Sequence, residues 1–205
     1  MLRRSSPRRD ATSTDAGRVL VVGLGNPGKR YARTRHNVGA ECVELLARRT
    51  SGTLKAGRDR ALVSETRIGE VSVVLAVPTT YMNESGNAVG ALARRYRIED
   101  PARIVIVHDE LDLEPGIVRV KVGGGLAGHN GLKSVSAHLH TDDYARIRIG
   151  VGKPRSKEQG ADHVLSGIPA AERRTLDVSI EVAADAVEAL VTRSVAAAMQ
   201  EFNSR

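Results

Sequence analysis

Asn26, Tyr31 and His36 fall within one compact segment, Gly23-Leu-Gly-Asn-Pro-Gly-Lys-Arg-Tyr-Ala-Arg-Thr-Arg-His-Asn-Val-Gly39, directly after the apolar run Val19–Val22. An imidazole with an unperturbed pKa of about 6.5 can take a proton near neutral pH. It makes a good base when a carboxylate holds its other ring nitrogen. Asp109, in His108-Asp-Glu-Leu-Asp112, is the best candidate for that carboxylate, because Leu111 and the apolar run before it limit water access. Glu110 and Asp112 read as surface and turn residues. Asn26, Asn83 and Asn130 offer uncharged donors and acceptors suited to amide groups or a polarised carbonyl oxygen. In Gly123-Gly-Gly-Leu-Ala-Gly-His-Asn130 the glycines let backbone approach a substrate, and a helix opening near His129 is expected to point free N–H groups at it.

These residues need a scaffold that brings them together. Strands are expected at Arg18–Val22, Ala61–Ile68, Val71–Val77, Arg103–His108, Ile117–Val122 and Ala145–Val151. Helices are expected at Val38–Arg49, Ser85–Arg97, Asn130–His140, Gly160–Ser166 and Ala171–Phe202, the last bent or interrupted. Val71–Val77 and Arg103–His108 are nearly continuous apolar runs, as in sheet interiors covered on both faces. The alternation gives an α/β fold: one domain with a mixed, mostly parallel twisted sheet and helices on both faces. Polar loops follow the first, third, fourth and fifth of these strands. Parallel strands end on one edge, so those loops converge on one cleft.

Composition narrows the chemistry. The chain has 205 residues, 41% of them hydrophobic, enough for a single domain with a real core. No apolar run is long enough to span a membrane, and the lone Cys42 cannot form an internal disulfide, so a cytoplasmic protein is expected. A net charge of +7 points to a polyanion such as nucleic acid. With only 2% aromatics, contact would run through phosphates and shape rather than base stacking. Arg119 and Lys121 project from one strand face and Arg146 and Arg148 from another, which suits a phosphate clamp beside the cleft. Residues 1–17 form a basic tail rich in Ser, Thr and Pro, expected to be disordered, ahead of the domain over 18–205.

Other chemistries fit less well. Gly23-x-Gly25-x-x-Gly28 matches a dinucleotide fingerprint, but Glu44, at the spacing of its acidic partner, falls on a helix, and Pro27 removes an N–H from the loop. No Gly-x-Ser-x-Gly elbow and no Walker loop occurs. His138, His140, Asp142 and Asp143 read as solvated residues near a helix end rather than a metal site.

Taken together, the motifs resemble the bacterial-type peptidyl-tRNA hydrolase family. The resemblance runs through Gly-Leu-Gly-Asn-Pro-Gly, Thr-Arg-His-Asn-Val-Gly, Pro-Thr-Thr-Tyr-Met-Asn-Glu-Ser-Gly, His-Asp-Glu-Leu-Asp-Leu-Glu-Pro-Gly, Gly-Gly-Gly-Leu-Ala-Gly-His-Asn-Gly-Leu-Lys and Arg146-Ile-Arg-Ile-Gly-Val-Gly-Lys-Pro154, covering about residues 18 to 202. It implies a monomeric, cytoplasmic enzyme without metal or organic cofactor that hydrolyses the ester between a peptide and the 3′ ribose of tRNA, so recycling tRNA from prematurely released chains. By the same resemblance His36 would activate water, Asp109 would support it, and Asn26 would distinguish peptidyl from free aminoacyl ends. Tyr31, Tyr81, Asn83 and Asn130 match substrate-binding positions, with Met82 and His129 as cleft neighbours. Lys121 and Arg148 match a basic pair that grips the terminal phosphate of the tRNA. His163 and Ile168 stand where the family commonly has aromatics around a mobile lid. A non-hydrolytic RNA-binding relative is the rival within the resemblance, and retention of His36, Asp109 and the three asparagines favours the enzyme.

Overall fold

The computed structural model describes residues 17–154, 156 and 159–204. The basic tail therefore lies, except for Gly17, outside the described residues. The apolar runs form the centre of one sheet: β1 (Val19–Gly23), β4 (Val71–Pro78), β5 (Ile104–Glu110) and β7 (Ala145–Gly150). β1 pairs in parallel with β4 and β5, and β5 in parallel with β7. β2 (Lys55–Ala56), β3 (Ala61–Ile68) and β6 (Val118–Val122) complete the order β2-β3-β4-β1-β5-β7-β6 through antiparallel pairs. From β1 the chain builds out first through β4 on one side and then through β5 on the other. The crevice at the carboxyl ends of β4, β1 and β5 is thus a topological switch point, the usual ligand site in such sheets.

Helices cover both faces, as the apolar periods indicate. α1 (Val38–Arg49), α5 (Ala170–Thr192) and α6 (Val195–Asn203) pack on one side with Val21, Val105, Val107, Ile147 and Ile149. α2 (Ser85–Arg95) and α3 (Asn130–Leu139) pack on the other with Leu20, Val22, Ile104 and Ile106. The expected interruption of the last helix falls at Arg193–Ser194, where the Ser194 hydroxyl caps α6 by accepting from Ala197 N–H. β6 lies at the sheet edge, and there the Asn203 amide bonds both N–H and C=O of Val120 as a neighbouring strand would.

The fingerprint glycines serve packing. A Cβ on Gly23 would lie 2.2 Å from Gly39 O, and one on Gly39 would lie 2.2 Å from Val107 O. Only bare backbone lets the first turn of α1 approach β1 and β5 this closely. Glu44 is on α1, an exposed helical residue. Among the described residues no helix is long and apolar enough to cross a membrane.

One topological expectation is corrected. β6 runs antiparallel to β7, with Val122 beside Ala145 at the amino end of that strand. The glycine loop therefore leaves the sheet at the edge opposite the cleft and must climb back along it to reach α3. Arg146 explains how the climb is held: its guanidinium donates to the carbonyls of Gly124 and Gly125.

Candidate active site

The loops after β1, β4 and β5 and the start of α3 enclose a cleft of about 950 Å³ lined by Asn26, His36, Met82, Asn83, Asp109, His129 and Asn130 among others. His36 stands in a 3-10 turn, Arg35–Asn37, that leads straight into α1. Its Nδ1 lies 2.9 and 3.0 Å from the two carboxylate oxygens of Asp109, the penultimate residue of β5. The other ring nitrogen, Nε2, has no hydrogen-bond partner among the described residues.

Asp109 holds a second imidazole. His129 Nε2 is 2.9 Å from Asp109 Oδ1, while His129 Nδ1 accepts from the N–H groups of Gly131 and Leu132. Because two backbone donors occupy Nδ1, the proton of the neutral ring sits on Nε2 and is donated to the carboxylate. His129 is therefore the N-cap of α3 as well as a partner of Asp109. This corrects the expectation of free N–H groups: His129 takes two of them before any substrate can.

The electrostatics follow from burial and pairing. Burial favours the neutral acid of Asp109, yet the adjoining rings of His36 and His129 outweigh it and hold the carboxyl well below the usual range. Burial alone would lower the His36 pKa, but the charge and hydrogen bond of Asp109 prevail and raise it. His108, fully buried with the His129 ring at 5.0 Å, is pushed down to about 3 by burial and then by that ring, and so stays neutral. Ligand-type atoms of His36, Asp109 and His129 lie within 4.8 Å of one another, the spacing of a possible metal group. Each imidazole, however, already spends on Asp109 the nitrogen that a shared cation would need. His138 places its ring nitrogens on Ser134 O and Asn87 Oδ1, away from any such cluster.

The asparagines are oriented by backbone. Asn26 Oδ1 accepts from Met82 N–H at 2.8 Å, which leaves its Nδ2 as the group to offer a ligand. Asn37 clamps the same loop, accepting from Asn26 N–H and donating to Asn26 C=O, each at 2.9 Å. Asn83, in the 3-10 turn Met82–Glu84, and Asn130, the first residue of α3, line the cleft with exposed amides. Met82 is buried beneath them. Tyr31 and Tyr81 form an edge-to-face pair with centroids 6.4 Å apart, and Tyr81 is largely exposed; neither lines the cleft itself.

The cations divide. Arg146 is buried and committed to the glycine loop, so it is no phosphate ligand. Arg119 donates to Val118 O and Phe202 O. Arg148 and Lys121 remain partly open on neighbouring strands, with Arg148 Nε 3.0 Å from Glu110 Oε2. Glu110, expected at the surface, is buried: it accepts from Arg148 and from Asp112 N–H at the end of β5. Lys153, ion-paired with Asp112 at 2.9 Å, and the apolar Leu111, Val164 and Leu165 also line the cleft, and sequence patterning had singled out none of them as lining residues. His163 lies in α4 (Gly160–Leu165) and places Nε2 on Val151 O at 3.1 Å, whereas Ile168 packs against the core.

Known proteins decide what this arrangement belongs to. A family model described as peptidyl-tRNA hydrolase matches residues 20–205. The chain belongs to the peptidyl-tRNA hydrolase family. A peptidyl-tRNA hydrolase of Frankia alni is 51% identical over 179 residues, covering 87% of this chain and 90% of the relative. One from Cutibacterium acnes is 46% identical over 196 residues, covering 90% and 98%. A crystal structure of peptidyl-tRNA hydrolase from Acinetobacter baumannii superposes with a TM-score of 0.86 at 43% identity, covering 91% of this chain and 94% of that one. The activity of the chain is that of the family, hydrolysis of peptidyl-tRNA.

Proposed function

We propose that His36 is the general base of this hydrolysis and Asp109 its orienting partner. The observation that carries this reading is the Nδ1 contact of His36 with both oxygens of Asp109, which leaves Nε2 unpartnered in the cleft. Nε2 takes a proton from a water whose oxygen attacks the carbonyl carbon joining peptide to ribose. The tetrahedral intermediate then collapses, the bond to the ribose oxygen breaks, and that oxygen receives the proton from the imidazolium. Asp109 holds the tautomer and stabilises the transient cation. His129 and its two amide donors keep Asp109 ionised and in place.

Asn26 has only its Nδ2 hydrogens to offer, so it pairs with an acceptor such as the carbonyl oxygen of the second peptide unit. A free aminoacyl end presents an ammonium there, which cannot accept. Asn83, Asn130 and Met82 complete the acyl-binding wall, and the Tyr31–Tyr81 pair meets the nucleotide end of the substrate. Lys121 and Arg148 contact phosphate. The acting species is a monomer formed by the domain over 18–205, working in the cytoplasm on peptidyl-tRNA released from translation. Release of labelled peptide from an N-blocked aminoacyl-tRNA tests the reading directly. Turnover that survives both His36→Ala and Asp109→Asn at the parental rate overturns it.

A further inference from the structure

The turn that carries His36 sends three consecutive side chains to three different walls. Asn37 reaches the Asn26 loop, and His36 reaches Asp109 on β5. Arg35 turns away from both. Its Nε and Nη2 each lie 2.7 Å from one oxygen of Glu172, in the first turn of α5. Its Nη1 donates to the carbonyl of His163 in α4 at 3.0 Å. The Arg35 side chain is 6% exposed and that of Glu172 24%, so the pair is largely shielded from water. A two-pronged guanidinium–carboxylate contact fixes angle as well as distance.

α4 is a wall of the cleft, contributing Ala161, Val164 and Leu165. It is held at His163 from two sides, by the side chain on Val151 O of the β7 end and by the carbonyl on Arg35. Arg35 and His36 are neighbours in a turn of three residues, so a shift at Arg35 has no intervening chain to absorb it. A group displaced by about 1 Å can lose on the order of 10²-fold in rate.

We propose that Arg35 is a positioning residue for the hydrolysis, one guanidinium setting both the turn that aims His36 and the α4 wall against which the acyl chain lies. The inference rests on the reading of His36 as the base. Arg173 provides an internal control. It too is a buried arginine with two carboxylates, Glu41 at 2.6 Å and Asp177 at 2.5 Å, but its contacts tie α5 to α1 and reach neither α4 nor the His36 turn.

The test compares the parent with Arg35→Lys, Glu172→Gln, Arg173→Lys and His36→Ala in the full chain, measuring kcat, KM, melting temperature and the pH dependence of kcat/KM. Arg35→Lys keeps the charge but loses the fork, and should lower kcat about tenfold or more with KM changed less. The groups facing the His36 ring are Asp109 and the His129 ring, 5.0 Å away. As the Asp109 contact loosens, the acid limb of the profile should move down toward the unperturbed value of about 6.5. Glu172→Gln should shift both quantities in the same direction by less, and it carries the test should Arg35→Lys fail to fold. Arg173→Lys should lower melting temperature without moving the acid limb. A parental kcat and acid limb in Arg35→Lys, or in Glu172→Gln if that variant stands in, overturns the proposal. So does an equal shift in Arg173→Lys. Parental turnover by His36→Ala overturns instead the underlying assignment of the base, an outcome distinct from either.

Discussion

The His36 corner and the β6–β7 edge both carry polar side chains assigned to the substrate, yet they are built by opposite means. In the corner, backbone and buried carboxylate fix which atom of each group faces the ligand. Two amides set the tautomer of His129, the Met82 N–H sets the amide of Asn26, and Asp109 sets Nδ1 of His36. At the edge, Lys121 stands on an edge strand with no hydrogen bond or ion pair among the described residues, and Arg148 leans on one carboxylate. Bond chemistry needs direction, and a small rotation of a base is costly. Phosphate contact needs charge and reach, which a solvated lysine supplies without a fixed geometry. The corner should therefore be brittle to substitution and the edge tolerant.

The largest effect should come from His36→Ala. Loss of a general base typically costs about 10²–10⁴-fold in rate. Melting temperature and tRNA affinity should hardly change, because the side chain belongs to a cleft turn rather than the core. Single-turnover peptide release with a parallel tRNA-binding titration checks both. A variant that binds tRNA poorly and still turns over normally would reverse the contrast between corner and edge.

Asp109→Asn should follow, with a rate loss toward the upper part of the same range, about 10⁴-fold where a wrong tautomer results. The carboxamide presents an N–H₂ group where His36 and His129 both donate, so one contact must break. The sign of the pH effect is fixed by the raised His36 pKa. Only neutral His36 is a base, so parental kcat/KM should fall as pH drops through a value above about 6.5. Without Asp109 that acid limb should move to lower pH while the plateau rate drops. Stability carries the opposite dependence. The depressed Asp109 pKa contributes stability above its unfolded value, near 3.8, that is lost as pH falls through the folded value. Parent and Asp109→Asn should thus converge in melting temperature in strong acid, and a gap that widens there would remove the coupling.

Much of this contrast was legible in sequence, but unevenly. α1 spans Val38–Arg49 as expected, because its apolar residues recur at helical spacing next to a strand of continuous apolar run. His36 and Asp109 were legible as a pair because few other groups stood at strand ends with suitable chemistry. β2 went unread: two exposed residues, Lys55 and Ala56, carry no alternation. The 3-10 turns at Arg35–Asn37 and Met82–Glu84 are too short for any period, although they aim the cleft side chains. Strand direction leaves no trace in hydropathy, which is why the loop after β6 was placed on the wrong edge. Charge misled in the same way. Arg146 and Glu110 read as surface groups from their types, whereas partners distant in sequence, the glycine-loop carbonyls and Arg148, compensate their burial.

At the edge the effects should be smaller and separable. Lys121→Gln should weaken tRNA binding by a similar factor for different tRNA sequences and flatten the log–log salt dependence by about 0.7 to 0.9, the loss of one phosphate contact. Its melting temperature should not change, since no ion pair is broken. Arg148→Gln should flatten the slope similarly but also lower the melting temperature, because it leaves Glu110 buried without its cation. Glu110→Gln in the same chain should restore part of that loss. Both single variants should cleave a minimal substrate lacking most of the tRNA nearly as the parent does, because the His36 corner is untouched. Removing residues 1–16 takes away four arginines and two aspartates, a modest share of the net +7, and should change binding least of all. Salt-dependent titrations of the three proteins rank these effects. A truncation that abolished binding while Lys121→Gln and Arg148→Gln bound normally would move the phosphate contact from the β6–β7 edge to the N-terminal segment.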